Sequence, residues 1–143
     1  MTAADFLQAI EDNHRAVDAF VKGDPAPLGA LYSRDDDATL ANPFGPTVRG
    51  WEQIEQTMAR AATHYRQGEA TGFTRVSAYE AEDLAYLVEL EQFLTKLGGA
   101  SERTSLALRV TTIFRREDGA WRIVHRHADP ITSPRTPESI VPS

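Results

Sequence analysis

The stretch REDGAWRIVHRHADP, residues 116–130, runs from a turn into an alternating segment. Trp121, Ile123, His125, His127 and Asp129 share one parity; Arg122, Val124, Arg126 and Ala128 share the other. Successive side chains of a strand point to opposite faces. Two histidines and a carboxylate are therefore expected on the face that also carries a Trp and an Ile. Titratable groups on such a core-like face predict a ligand pocket. Glu117, Asp118 and Gly119 form a turn signal that makes the stretch one arm of a hairpin. A three-residue loop with Gly119 left-handed pairs Arg115 with Trp121, Ile113 with Ile123, Thr111 with His125 and Arg109 with His127. A two-residue loop at Asp118-Gly119 shifts the pairing by one and sets Val110 and Thr112 opposite the histidines. The first loop is favoured, and it places Arg109, Thr111, Ile113, His125 and His127 on one face. Leu108, Val110, Thr112, Phe114, Val124 and Arg126 are then expected on the outer side of the sheet.

Upstream, residues 70–80, 84–97 and 103–116 are rich in β-branched and aromatic residues and are separated by turn signals. With 120–129 they predict consecutive strands. Glu89 and Glu91, both of one parity, can reach the histidine face. The N-terminal half reads as helix. Phe6, Leu7, Ile10, Val17, Phe20 and Val21 recur at helical spacing over 2–22, with Thr2 and Asp5 as a capping box and Gly23 as the stop. Asp24-Pro25 opens a short helix through Leu28, Leu31 and Tyr32. DDDATLAN (35–42) reads as a weak strand and NPFGP (42–46) as a turn. Gly50 to Gly68 predicts a second long helix, with Trp51, Ile54, Met58, Ala61, Ala62 and Tyr65 on its buried stripe. Helices followed by antiparallel strands predict an α+β domain over residues 1–130, with helices on one face of a curved sheet. The tail ITSPRTPESIVPS (131–143) is proline-rich and aperiodic, and is expected to be extended.

The chain has 143 residues, the size of one ordinary domain. Fifteen Lys and Arg against 21 Asp and Glu give a net charge of −6. Such a surface repels phosphate backbones and no basic stripe offsets it, so no nucleic-acid partner is expected. Cysteine is absent, which excludes disulfides and thiolate chemistry. No apolar run approaches the roughly 20 residues of a membrane span, and MTAADFLQAIEDNH does not read as a signal peptide. A cytoplasmic protein without a membrane partner is expected.

Two helices, then YSRDDDATLANPFGP with RGWEQI, then strands ending in REDGAWRIVHRHADP: this order resembles the nuclear transport factor 2-like superfamily over about residues 5–130. Within it the chain is most similar to the SnoaL-like and ketosteroid-isomerase-like small proteins. The resemblance implies a cone-shaped, cystatin-like α+β barrel, in which a strongly bent antiparallel sheet wraps the N-terminal helices and leaves a pocket between them. It also implies a homodimer paired through the outer faces of the sheets. The scaffold hosts many functions, so the residues must be read individually. In steroid isomerases the segment like DDATLANPFG carries a catalytic Asp before the proline; here that position is Asn42. An amide cannot take up a proton near neutral pH. Their oxyanion-binding Tyr on the first helix corresponds to Ala16. Steroid isomerisation is therefore not expected.

His125 and His127 can act as acid and base on a small carbonyl compound, since the ordinary histidine pKa of about 6.5 suits that task. Asp129 and Arg109 complete the candidate catalytic set, Arg109 holding an oxyanion or carboxylate. Asn42, Phe44, Trp51, Ile54, Met58, Tyr65 and Ile113 are the expected ligand-binding wall. A His-x-His pair can also ligate metal, with Glu89, Glu91 or Asp129 as third ligand, but no spacing motif supports this and no metal is expected. The competing structural reading has the histidines bonding across the sheet near its rim and Asp129 capping the strand end. The overall expectation is a pocket for a small organic molecule that uses no cofactor, with a non-catalytic binding or assembly module as the alternative.

Overall fold

The computed structural model describes residues 3–142. Helix α1 (Ala3–Val21) lays Phe6, Ile10, Asn13, Val17 and Val21 along one buried stripe. The cap expected at Thr2 lies outside the described residues. Gly23 ends the helix with φ +97°, its N–H donating to the Phe20 carbonyl. The Asp24 carboxylate then accepts the Ala26 N–H at 3.1 Å and opens α2 (Ala26–Leu31). Two short strands, β1 (Thr39–Ala41) and β2 (Val48–Arg49), precede α3 (Trp51–Ala62). Four long strands follow: β3 (Tyr65–Glu80), β4 (Leu84–Leu97), β5 (Thr104–Glu117) and β6 (Ala120–Asp129). All six strands form one sheet in the order β2-β1-β6-β5-β4-β3.

Several expectations are corrected here. The helix from Gly50 ends at Ala62, and Tyr65 begins a strand that runs through Gly68. Asp35–Asp37 lie in a turn, so the early strand is confined to Thr39–Ala41. The sheet extends beyond the four long strands: the weak early strand joins it as β1, parallel to β6, and β2, not expected, adds a sixth strand. Its edges, β2 and β3, do not meet, so the curved sheet stays open rather than closing into a barrel. Beyond β6 the tail is exposed and carries a short 3-10 turn at Pro137–Ile140. Among the described residues no helix is long and apolar enough to cross a membrane.

The hairpin between β5 and β6 fits neither loop hypothesis completely. Glu117 pairs with Ala120 across a two-residue turn in which Asp118 has φ +50° and Gly119 φ +80°. Left-handed angles at both central residues give the turn whose twist matches the strands. Phe114 then pairs with Ile123, but Ile113 pairs with His125, leaving Val124 as an extra residue. This β-bulge changes which side the remainder of β6 presents. Before it, Ile123 is inside with Phe114; after it, Arg126 and Ala128 are inside, while His125 and His127 stand opposite Ile113 and Thr111 on the convex face.

The sheet curves around α1, and the core falls into two apolar clusters. One gathers Phe6, Ile10, Tyr32, Ile54, Phe114 and Ile123 at the closed end. The other gathers Val17, Val21, Tyr65, Phe93, Leu108 and Val110 at the open end. Gly68 fixes how closely β3 approaches α1. A Cβ there would fall 2.0 Å from the Val21 carbonyl oxygen, a backbone atom that no rotamer change can move aside. Overpacking of this kind costs about 1–3 kcal/mol. Gly68→Ala is therefore expected to lose about that much stability in urea denaturation. Gly99→Ala, whose Cβ meets nothing within 4 Å, should stay within about 0.5 kcal/mol of the parent.

Candidate functional site

The concave face of the sheet carries an unusual set of side chains. Along β4 the inward positions are Ala85, Leu87, Glu89, Glu91, Phe93 and Thr95, all buried. Two carboxylates thus stand in the interior, and each has a cationic or titratable partner. The guanidinium of Arg126 on β6 reaches across β5 to Glu91 on β4, donating from Nη1 to Oε2 at 2.8 Å and from Nη2 to Oε1 at 2.6 Å. Glu91 is 1% exposed and Arg126 7%. Burial works against the Arg126 charge, but the Glu91 carboxylate outweighs it and holds the guanidinium above its ordinary pKa. Glu89 meets His14 of α1 at 2.7 Å, and Arg75 stands 3.7 Å from its other oxygen. The His14 ring is stacked on Phe73 with centroids 3.9 Å apart.

Arg126 also forms the polar floor of a cavity between the C-terminal half of α1, α3 and the sheet. Apolar residues make up most of its lining: Val17 and Phe20 from α1, Met58 from α3, Phe93, Leu108 and Ala128 from the sheet, and Phe44 from the segment after β1. With its mouth the cavity encloses about 460 Å³ of empty space, yet only about 30 Å³ is wide enough for the centre of a water molecule. That holds about two waters. An aromatic rim surrounds it: the Phe44 ring lies 4.7 Å from His64 and 5.9 Å from Tyr65, which in turn lies 5.9 Å from Phe20. The Tyr65 hydroxyl is pushed up to about 12 by burial, with Arg126 opposing and Glu91 reinforcing the shift. It stays protonated at neutral pH.

Four of the expected wall residues line this cavity: Asn42, Phe44, Met58 and Tyr65. The Asn42 carbonyl is engaged locally, accepting the Phe44 N–H at 2.9 Å. Three do not line it. Ile54 is fully buried in the closed-end cluster. Trp51 packs under the Arg34 guanidinium, 3.5 Å from its ring centre. Ile113 faces outward beside His125. The expected outward set is corrected in the same way, since Leu108, Val110, Thr112, Phe114 and Arg126 are buried on the concave side and Val124 is the bulge.

The four expected catalytic residues are brought together on the convex face, away from the cavity. Arg109 donates from Nε to Asp129 at 2.7 Å, and the other Asp129 oxygen lies 2.8 Å from His127 Nε2. His125 Nδ1 lies 2.7 Å from the Thr39 hydroxyl. Asp129 also accepts the Ile131 N–H at 3.0 Å, which caps the strand end. Burial would raise the Asp129 pKa, but the bonds from Arg109, Ile131 and His127 outweigh it and bring it down to about 2. Burial, and then the charge of His127, lowers that of His125. Arg109 and His127 are 55% and 50% exposed, so this cluster works in water rather than in an enclosed site.

The sequence reading missed Arg126, the residue that gives the cavity its polarity. A signal was present: Leu108, Val110 and Phe114 share one parity, and the Ile123-Val124 doublet breaks the alternation just where the bulge lies. A buried pair loses about 3–5 kcal/mol when one partner is removed, whereas apolar replacement of both is often neutral. Arg126→Met and Glu91→Leu are each expected to lose about that much in urea denaturation, and the double variant far less than their sum. Additive losses would show that the two side chains are not coupled.

The comparisons bear on the fold. No curated protein matches the chain at a significant level. Among solved structures, a suspected dehydratase of the nuclear transport factor 2-like family from Streptomyces avermitilis is 19% identical, with 91% of this chain and 96% of that chain covered and a TM-score of 0.73. A suspected calcium/calmodulin-dependent protein kinase II association domain from Xanthomonas campestris is 20% identical over 93% of this chain and 91% of that one, TM-score 0.69. A ketosteroid isomerase-like protein from Erwinia carotovora atroseptica is 17% identical over 91% and 96%, TM-score 0.68. At these identities the likeness is one of fold. The model of the SnoaL-like domain matches residues 10–132, and the chain belongs to that family.

Proposed function

We propose that this chain is a binding module whose cavity takes a small neutral organic molecule, apolar over most of its surface and carrying a hydrogen-bond acceptor. The observation that carries this reading is the Arg126 floor, whose charge Glu91 already balances at 2.6–2.8 Å. The bidentate pair leaves the guanidinium further N–H donors for an acceptor. A ligand carboxylate would add a buried charge with no counter-charge, which is costly. The polar side chains lining the cavity are Asn42, Tyr65 and Arg126, and none of the three accepts a proton near neutral pH. This favours binding over proton transfer, and the convex position of His125 and His127 gives them no part in it. As it stands the cavity holds about two waters, so a five-membered ring enters only as lining side chains such as the exposed Phe44 move aside.

Titration with cyclopentanone and cyclopentanecarboxylate, followed by amide shifts in NMR spectra, tests this. Cyclopentanone is expected to bind in the cavity more tightly than the carboxylate. Arg126→Met/Glu91→Leu should weaken it about tenfold or more, since a hydrogen bond to a charged group is worth about 1.5–3 kcal/mol. Tighter binding of the carboxylate would overturn the assignment.

The convex face supports a second partner, another copy of the chain. The outward positions of β4 are Leu84, Tyr86, Val88, Leu90, Gln92, Leu94 and Lys96, more apolar than the inward ones. Across the sheet Tyr79 stacks on Tyr86 at 5.9 Å, and Ile113 stands beside Tyr86. A contiguous apolar face of this kind calls for cover, and two-fold pairing of identical faces supplies it. Sedimentation at micromolar concentration is expected to give twice the 15.8 kDa chain mass, and Val88→Lys to halve it. A parent protein sedimenting at 15.8 kDa would exclude this pairing.

A further inference from the structure

A second recess adjoins the cavity at its mouth. Asn42, Phe44 and Ala61 line both spaces, so the two meet there. The Phe44 ring stands between them: it lies 4.7 Å from His64, which lines the outer recess alone, and 5.9 Å from Tyr65, which lines the inner cavity alone. About 200 Å³ of the recess is wide enough for the centre of a water molecule, against about 30 Å³ inside. The partition is a side chain, and Phe44 is 43% exposed. Its N–H is pinned to the Asn42 carbonyl oxygen, so rotation about the Cα–Cβ bond joins the two spaces without moving the turn. The recess differs from the cavity in charge. Arg60 and Thr57 of α3 line it with His64, and no Asp or Glu does. From Thr57 to Arg66 the sequence carries no acidic residue, and residues 39–48 carry no charge, in a chain of net charge −6. Arg60 donates to Thr57 Oγ1 at 3.3 Å and forms no ion pair among the described residues. A cation in the last turn of α3 suits the helix dipole. That accounts for a charge at Arg60, but not for its place in a recess that adjoins the cavity.

We propose that the recess is the outer half of the ligand site, that Arg60 holds a carboxylate there, and that the ligand is an oxo-acid with its carbonyl at Arg126. This rests on the reading of the cavity as a ligand site and extends it outward. The neutrality required at the floor applies to the part of the molecule inside, where a second anion beside Glu91 has no counter-charge. At the mouth a carboxylate keeps much of its water, and a guanidinium offers it two parallel N–H donors. His64, whose ring makes no hydrogen bond among the described residues, can add a third. The place now filled by the Phe44 ring becomes the passage for an apolar arm between the two ends. The carboxylate therefore stands on an arm and not directly on the group held in the cavity. Arg126 and Arg60 then select for two different things, an uncharged acceptor inside and an anion outside.

The test uses cyclopentanone and cyclopentanones that carry an acetate, propanoate or butanoate arm beside the carbonyl, each acid compared with its own methyl ester in NMR titrations of the full chain. At least one acid is expected to bind about fivefold more tightly than its ester, the size of a well-placed ion pair in water, and to shift amides around both the cavity and the recess. Arg60→Gln is expected to bind acid and ester alike, and Arg60→Glu to prefer the ester. Arg60 is exposed, so both variants keep the fold. If no acid binds more tightly than its ester while cyclopentanone still binds, the outer half of the site falls and the cavity stands. If the preference for an acid survives in Arg60→Glu, the carboxylate lies elsewhere and the proposal is wrong. If the acids shift only amides around the recess, they do not reach Arg126 and the oxo-acid assignment is wrong. If cyclopentanone does not bind, the cavity reading itself falls, and this proposal with it.

Discussion

A buried ion pair spanning three strands governs the interior of this protein. Arg126 and Glu91 belong to β6 and β4, about 10 Å apart across a sheet, and their side chains close that gap by passing over β5. Neither charge can be left alone at that depth, so each dictates the other's side of the sheet. Glu89, two residues before Glu91 on the same inward face, is met separately by His14 of α1. The closed end is packed. The cavity draws its lining mainly from the open-end cluster, with Leu28, Leu40 and Met58 from the other, and Arg126 is the charged residue it reaches.

The rest of the architecture holds the helix and sheet around this pair in register. α1 contributes Asn13 and His14 from one turn of helix, and its C-terminus is drawn against β3 at Gly68, where no side chain fits. β3 reaches its position through three irregularities in its pairing with β4, one of them with Gln67 at φ +52°. Asp18 on α1 accepts the Ala70 N–H at 2.9 Å, a further tie between helix and sheet. These contacts fix the helix lengthwise as well as laterally. They set which residues of α1 face the cavity.

The order of elements was legible in the sequence because helical and strand periodicities are local. The strands expected at 84–97 and 120–129 match the observed ones in extent, and the α+β class follows from that order alone. The family was legible from motif order. What local patterning could not convey was which side of the sheet is inside. On β4 the outward residues Tyr86, Val88, Leu90 and Leu94 are more apolar than the inward Glu89 and Glu91, so hydrophobicity pointed the wrong way. On β6 the bulge at Val124 moved the histidines away from Trp121 and Ile123, with which they share parity. Asn42, Phe44 and Met58 line the cavity as expected because a turn and a helix stripe place residues without reference to sheet register, whereas Tyr65 lines it from the start of β3 and not from the helix stripe expected to carry it. Arg126 was missed because its parity, taken without the bulge, is that of the surface.

The same bulge uncouples the parity of the sequence from the two faces of the sheet. Because Val124 is passed over, Ile123 opposite Phe114 is followed by His125 opposite Ile113, and Arg126 and Ala128 come inside. Regular pairing of Val124 would send everything beyond it to the other face: His125 and His127 would turn inward and Arg126 outward, stranding Glu91 as a buried acid without its partner. Deletion of Val124, by contrast, would keep every later residue on its present face, since the ladder already skips it. The strand is thus indifferent to the loss of this residue and intolerant of its inclusion in the ladder, and the Arg126–Glu91 pair is what enforces the difference.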